Sequence, residues 1–356
     1  MPHRPTPEQD ASIALTDLAP DEIAARLELK PYQGRQVFRW IHRKRVFDLG
    51  AMTDLPKALR QRWAGACLGA QLRVHDVSVS HGTGTRKALF HLGDGETIES
   101  VLLRDRQRYT ICLSTQVGCR VGCPFCATGS SGFVRNLRPG EIVEQALYFT
   151  GMKGVAERTP NLVYMGMGEP FHNYEAVVKS IRLLMRKDGL GIGARRITVS
   201  TVGDVPGIRR FAGEGWQVRL SISLHAANDA VRSRLVPLNR KYPLESVLAA
   251  VREYTKETGR QVTYEWVLLR GVNDRIRDAN DLAGLIRGTK STVNLIPYNP
   301  VPGCGYESPP RPRAVEFRDA LIRKDISVTL RRTQGGDIDA ACGQLRRRSR
   351  GGAHTP

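Results

Sequence analysis

At 356 residues and 41% apolar content, the chain is long enough to bury one large core and a smaller one beside it. No apolar run reaches the roughly 18 residues of a membrane-spanning helix, and Met1–Asp10 lacks the apolar centre of a signal peptide, so a cytoplasmic protein without membrane partners is expected. Lys and Arg total 54 against 35 Asp and Glu, a net charge of +19, which favours a polyanionic partner such as nucleic acid, and seven cysteines in such a chain point to metal or redox chemistry.

Residues 1–12 read as loose, polar chain. Residues 20–64 read as a small helical unit opened by Pro20-Asp21-Glu22, with proline and acids in a first turn. In the run Arg35–Arg43, Val37, Phe38, Trp40 and Ile41 take one side, while Arg35, Arg39 and Arg43 recur at helical spacing on another. Lys30 to Arg62 holds nine basic and two acidic residues, either a solvated face or a phosphate-contacting patch. Cys67 reads as helix packing. Val74, Val77 and Val79 suggest an extended segment, and strands 87–92 and 97–104 flank a hairpin turn at Gly93-Asp94-Gly95. Thr97, Glu99, Val101 and Leu103 share one strand face, so Glu99 points inward or stands at a wet edge.

Cys119, Cys123 and Cys126 stand in a C-x3-C-x2-C spacing, with Cys112 seven residues upstream. A structural zinc site takes four ligands, usually as two C-x2-C pairs. One tight loop with three thiolates instead suits a cubic four-iron cluster that keeps one iron open. This spacing, with Phe125 before the last cysteine, resembles the radical S-adenosylmethionine (SAM) superfamily.

Strand and helix then alternate: strands at 109–114, 162–165, 196–200, 218–224, 262–269, 293–297 and 326–331, helices at 141–150, 174–186, 205–212, 244–258, 279–287 and 313–324. About six right-handed units make a partial (β/α)6 barrel, fewer than the eight of a closed one. The expected fold is therefore α/β. A helical accessory domain (1–70), a hairpin extension (71–104), the core (105–345) and a basic tail at Arg346-Arg347-Arg348 (346–356) divide the chain. Polar residues gather at strand ends, where such folds do chemistry. Gly168 and Glu169 follow one strand, Ser200 another, Ser223-Leu224-His225 a third, and Asn299 a fourth. Glu169 can accept from a ligand amine or cap a turn, and His225 is a ligand contact or a core imidazole. Cys342, among Gly and Ala residues, reads as a reactive thiol on a mobile loop. Cys304 reads as a loop residue.

Blocks from Leu29 to Leu345 resemble the RlmN family of dual-specificity RNA methyltransferases: T-D-L-P-K (53–57), I-E-S-V (98–101), S-T-Q-V-G-C (114–119), G-M-G-E-P (166–170), S-L-H-A (223–226), N-L-I-P-Y-N-P (294–300) and G-D-I-D-A-A-C-G-Q-L (336–345). The resemblance implies methylation at carbon 2 of adenosine 2503 in 23S rRNA and adenosine 37 in tRNAs. It implies a [4Fe-4S] cluster on Cys119, Cys123 and Cys126, and two SAM molecules per turnover. SAM contacts fall on Gly168, Glu169, Ser200, Ser223, Leu224, His225 and Asn299. Cys342 would carry the methyl group, Glu99 accept the proton at carbon 2, and Cys112 release the product through a transient disulfide with Cys342. A flavodoxin or ferredoxin would supply electrons to a monomer. Carbon-8 methylation remains an alternative, as does a non-catalytic Fe–S or zinc RNA-binding protein.

Overall fold

The structure is a computed structural model; it describes residues 13–63, 67–68 and 72–345. Residues 1–12, expected to be loose, and the basic tail 346–356 lie outside the described residues. The N-terminal unit comprises strand β1 (Ile13–Ala14), helices α1 (Pro20–Arg26), α2 (Pro31–Arg39) and α3 (Lys57–Trp63), and strand β2 (Cys67–Leu68). Proline opens both α1 and α2, where its missing N–H is no loss. Beyond α2 the chain continues as one π-helical stretch, Trp40–Lys44, and stops at Arg45 in a left-handed conformation (φ 58°). Cys67 is not part of a helix: it pairs with Ile13 in a two-strand parallel contact.

Strands β3 (Arg73–Val79), β4 (Arg86–His91) and β5 (Thr97–Asp105) are antiparallel. β5 pairs with β6 (Arg108–Cys112), so the extension is continuous with the core sheet. A short hairpin of β7 (Gln116–Gly118) and β8 (Phe133–Asn136) brackets the cysteine loop and the one-turn α4 (Ala127–Ser130). The alternating part runs α5 (Pro139–Thr150), β9 (Asn161–Tyr164), α6 (Tyr174–Met185), β10 (Ile197–Thr201), α7 (Val205–Ala212), β11 (Arg219–Ser223), α8 (Asp229–Leu235), α9 (Leu244–Thr258), β12 (Val262–Leu268), α10 (Ile276–Ile286), β13 (Ser291–Pro297), α11 (Arg311–Ile322) and β14 (Val328–Leu330). Strand order in the ten-stranded sheet is β14-β13-β12-β11-β10-β9-β6-β5-β4-β3. From β6 to β14 every neighbour is parallel and each crossover moves over by one strand, the expected six-unit arc. Every carboxyl end of that arc thus faces one rim.

One apolar core runs from Leu15, Ile23 and Phe38 in the N-terminal unit to Phe317 and Leu321 in α11. A second, smaller cluster surrounds the cysteine loop: Val121, Phe125, Leu235, Val236, Leu269 and Tyr298. Two arginines of the expected basic patch are used in docking. Arg43 donates to the carbonyls of Lys187 (2.9 Å) and Gly189 (3.1 Å), and Arg45 to those of Leu147 (3.1 Å) and Thr150 (2.7 Å). Arg35 and Arg39 remain exposed.

Candidate active site

The β7–β8 hairpin pinches the cysteine loop at its base. Gly118 has φ +75°, and a Cβ there would lie 1.8 Å from the Gly132 carbonyl oxygen, which accepts the Cys119 N–H at 2.9 Å. Only glycine fits so close an approach. Cys119, Cys123 and Cys126 all emerge on one cleft of about 160 Å3. Burial pushes the Cys119 thiol up to about 12 and raises Cys123 and Cys126 as well, and Cys119 and Cys123 each feel the neighbouring sulfurs. Three soft donors that resist ionising beside one another fit a cationic Fe–S cluster, whose irons would displace the thiol protons. Among the described residues no three ligating side chains meet as they would around a single ion; a cubane gives each thiolate its own iron.

The strand ends supply the other walls. Gly168 (φ +102°) passes so close to Gln116 that a Cβ would stand 2.6 Å from the Gln116 side chain. The Gln116 amide oxygen in turn accepts the Glu169 N–H at 2.9 Å. Glu169 lines the cleft, but each of its carboxylate oxygens already accepts a backbone N–H, from Phe171 (3.1 Å) and Val202 (2.9 Å). Burial pushes this carboxyl up to about 7. Its first task is therefore to cap the turn and tie β9 to β10. Ser200 and Ser223 face each other across the wall at 3.4 Å. His225 also lines it, in a left-handed conformation (φ 61°), with Nδ1 accepting the Val267 N–H at 3.2 Å. Burial lowers its pKa to about 3, so the ring is neutral. The Asn273 amide donates to the carbonyls of His225 (2.7 Å) and Val267 (2.8 Å) and holds that conformation in place. Leu224 is the exception: its side chain is fully buried in the main core.

The loop after β14 closes the cleft and is tied to its rim by hydrogen bonds. Asn299 donates to the Cys342 carbonyl (3.3 Å) and accepts from Thr333 (3.0 Å); Ala127 N–H donates to Gly343 (2.8 Å), and Gln344 to Pro300 (3.1 Å). Ala340, Ala341 and Leu345 are buried while Cys342 is exposed. A run of small, mostly buried residues thus presents one accessible sulfur. Cys112, at the end of β6, shares the adjoining groove with Cys342; both are free thiols. Glu99 is fully buried and inward, not at a wet edge. It pairs with Lys87 Nζ at 3.3 Å, and Lys87 also donates to the Asp339 carbonyl at 3.2 Å. Val101 and Leu103, which share its strand face, line the groove, whereas Glu99 sits one step deeper.

Sequence reasoning missed the buried cations. Arg232 on α8 is 1% exposed and donates to the carbonyls of Val202, Ser223 and Leu224 and to Asn239, tying β10 to β11 beneath the cysteines. Burial lowers it to about 10, while Cys123 and Asp229 oppose that fall. Glu265 and Arg331 also line the cleft. Strand parity was the available signal for both: Glu265 is directly paired with Ser223, and Arg331 follows Thr329 by two residues.

A partial α/β barrel with three cysteines on a pinched loop at its rim defines a radical SAM enzyme. The radical SAM superfamily profile matches residues 113–283, and that of the ribosomal RNA large subunit methyltransferase N-terminal domain matches residues 15–68. A probable dual-specificity RNA methyltransferase RlmN of Moorella thermoacetica is 47% identical over 336 residues, covering 93% of this chain and 95% of that protein. The dual-specificity RNA methyltransferase RlmN of Anaeromyxobacter dehalogenans is 46% identical over 332 residues, covering 91% and 88%. The crystal structure of a radical SAM methyltransferase from Sphaerobacter thermophilus superposes with a TM-score of 0.90 at 47% identity, covering 94% of this chain and 99% of that one. The chain belongs to the RlmN family and is a radical SAM RNA methyltransferase.

Proposed function

We propose that the enzyme methylates carbon 2 of adenosine 2503 in 23S rRNA and of adenosine 37 in tRNAs, with Cys342 as the methyl carrier. The observation that supports this best is the placement of the exposed Cys342 on the same cleft as Cys119, Cys123 and Cys126, with Cys112 in the adjoining groove. In this reading the three loop cysteines hold a [4Fe-4S] cluster. Gly168, Glu169, Ser200, Ser223, His225 and Asn299 surround SAM, with Leu224 backing that wall from the core, and two SAM molecules are used per turnover. The cluster, reduced by a flavodoxin or ferredoxin, supplies the one-electron chemistry that an electron-poor ring carbon demands.

The chain's own residues do the rest. Cys342 takes a methyl group on sulfur and holds it against the base; the bound cluster and second SAM would supply the acceptor for one hydrogen atom of that methyl group and take back the one electron left when its carbon joins ring carbon 2. Glu99 removes the ring proton at carbon 2 once its Lys87 partner gives way. Cys112 thiolate attacks the Cys342 sulfur: the S–S bond forms, the bond from sulfur to the new carbon breaks, and its electron pair passes to the base. A proton then completes the methyl group. The exposed arginines Arg35 and Arg39 contact phosphates that position the RNA.

The direct test is Cys112→Ala, reconstituted anaerobically and supplied with substrate RNA, SAM and reductant. A covalent protein–RNA species joined through Cys342 is expected to accumulate. Its absence with an intact cluster would remove Cys112 from the resolving role. Mass spectrometry of the digested RNA reports the position: 2-methyladenosine is expected, and 8-methyladenosine would move the chemistry to carbon 8. RNA binding without release of 5′-deoxyadenosine would leave only a binding protein.

A further inference from the structure

Arg331 holds none of the roles above. It follows β14, its N–H donates to the Leu295 carbonyl at 2.9 Å, and its side chain borders both the inner cleft with the cluster cysteines and the outer groove with Cys112. The guanidinium Nη1 lies 3.8 Å from the Cys342 sulfur. The groups around this partly buried guanidinium that raise its pKa are Cys342 first, then Glu265 and Cys112. Glu265 is 3% exposed: Ser221 and Asn294 donate to its Oε1, and its Oε2 has no hydrogen-bond partner among the described residues. The second thiol is placed differently. Burial, with Cys342 adding to it and Arg331 opposing it, pushes Cys112 up to about 12. One cation therefore stands beside two thiols: its Nη1 has a polar contact with the Cys342 sulfur, and it also acts on Cys112, whose burial it only partly offsets.

We propose that Arg331 is the positioning residue that selects Cys342 as the nucleophilic sulfur: its guanidinium pairs with the Cys342 thiolate at the junction of cleft and groove, so that this sulfur, and not Cys112, receives the methyl group. The inference rests on Cys342 being the methyl carrier. In that step the Cys342 thiol releases its proton to solvent. The sulfur's electron pair forms the new S–CH3 bond as the methyl–sulfonium bond of SAM breaks. The electrons of the broken bond remain on the sulfur of S-adenosylhomocysteine. The product at Cys342 is a neutral thioether, so the ion pair with Arg331 ends as the methyl group arrives.

The test uses full-length protein and brief iodoacetamide labelling at pH 7.5, read by peptide mass spectrometry on the unmethylated fraction of Cys342, with Cys304 as internal reference. Arg331→Met and Arg331→Gln are expected to slow Cys342 labelling about tenfold relative to Cys304, because a thiolate loses its charge-assisted donor. Arg331→Lys is expected to restore most of the rate, which a purely structural role would not do. Unchanged labelling in the Met and Gln variants, or a Lys variant no faster than they are, overturns the proposal. The same peptide from wild-type protein separates the two layers. A methyl mass on Cys342 that disappears or moves to Cys112 in Arg331→Met supports both. No methyl mass in the wild type refutes Cys342 as carrier, and the labelling rates then still decide whether Arg331 holds its thiolate.

Discussion

His42 shows how far a single side chain can depart from its sequence reading. The apolar side of the run Arg35–Arg43 was legible from Val37, Phe38 and Ile41, but His42 beside them is fully buried too, stacked on Phe38 at 3.8 Å with neither ring nitrogen hydrogen-bonded among the described residues. Burial lowers its pKa to about 3. The unfolded chain takes up a proton below about 6.5, while the folded chain refuses it until far lower pH. Stability is therefore present above the unfolded value and lost as pH falls through that window. His42→Phe keeps the stack and removes two unpaired polar atoms. It is expected to raise unfolding free energy by about 1–2 kcal/mol at pH 7. Its advantage over wild type should then grow by up to ~1.4 kcal/mol per pH unit below 6.5. Urea unfolding at pH 7, 6 and 5 measures this, and a constant gap would show that His42 titrates normally in the fold. Arg232 and Arg331 escaped notice for a related reason. Charged residues default to the surface, and only a three-dimensional neighbour, a row of carbonyls or a sulfur, reverses that.

At the level of elements, apolar runs bounded by turn residues revealed the seven strands and six of the seven helices of the arc; α6, α7 and α10 bury one face, whereas α5 is buried nearly all round and β12 on both faces. The short pieces were not legible. α8 has seven residues, and one of its buried positions is Arg232; the β7–β8 hairpin has too few residues for any period; the π-helical turn obeys neither rule. Yet the hairpin is what aims the cysteine loop. Gly118→Ala would force a side chain into φ +75° and into contact with the Gly132 carbonyl, prying the hairpin open. The expected outcome is local: far-UV circular dichroism close to wild type, and iron after anaerobic reconstitution falling from about four per chain to below one. A variant that still takes up a full complement of iron would show that the loop closes without the pinch.

At the scale of the whole molecule, the least legible fact was continuity. Whether residues 73–105 form a separate hairpin or extend the barrel depends on β5 pairing with β6, and whether 13–63 is a separate unit depends on contacts that skip more than a hundred residues. Local sequence carries no record of either. This changes how the basic N-terminal run should be divided. Arg45 reaches the carbonyls of Leu147 and Thr150 at the end of α5, whereas Arg39, six residues earlier, is exposed. Two residues of identical charge therefore have opposite expected phenotypes. Arg45→Ala loses charge-assisted hydrogen bonds at the junction and should cost about 2 kcal/mol. Because one core spans both parts, that loss should appear as a shift of a single unfolding transition, not as early melting of the N-terminal unit. Arg39→Ala should leave stability within about 0.5 kcal/mol, but weaken binding of substrate RNA and reduce the slope of log affinity against log salt by about 1. Thermal unfolding and RNA titrations at three salt concentrations separate the two. If Arg45→Ala unfolds in two steps, the parts are independent; if Arg39→Ala leaves the salt slope unchanged, its face does not meet the phosphates.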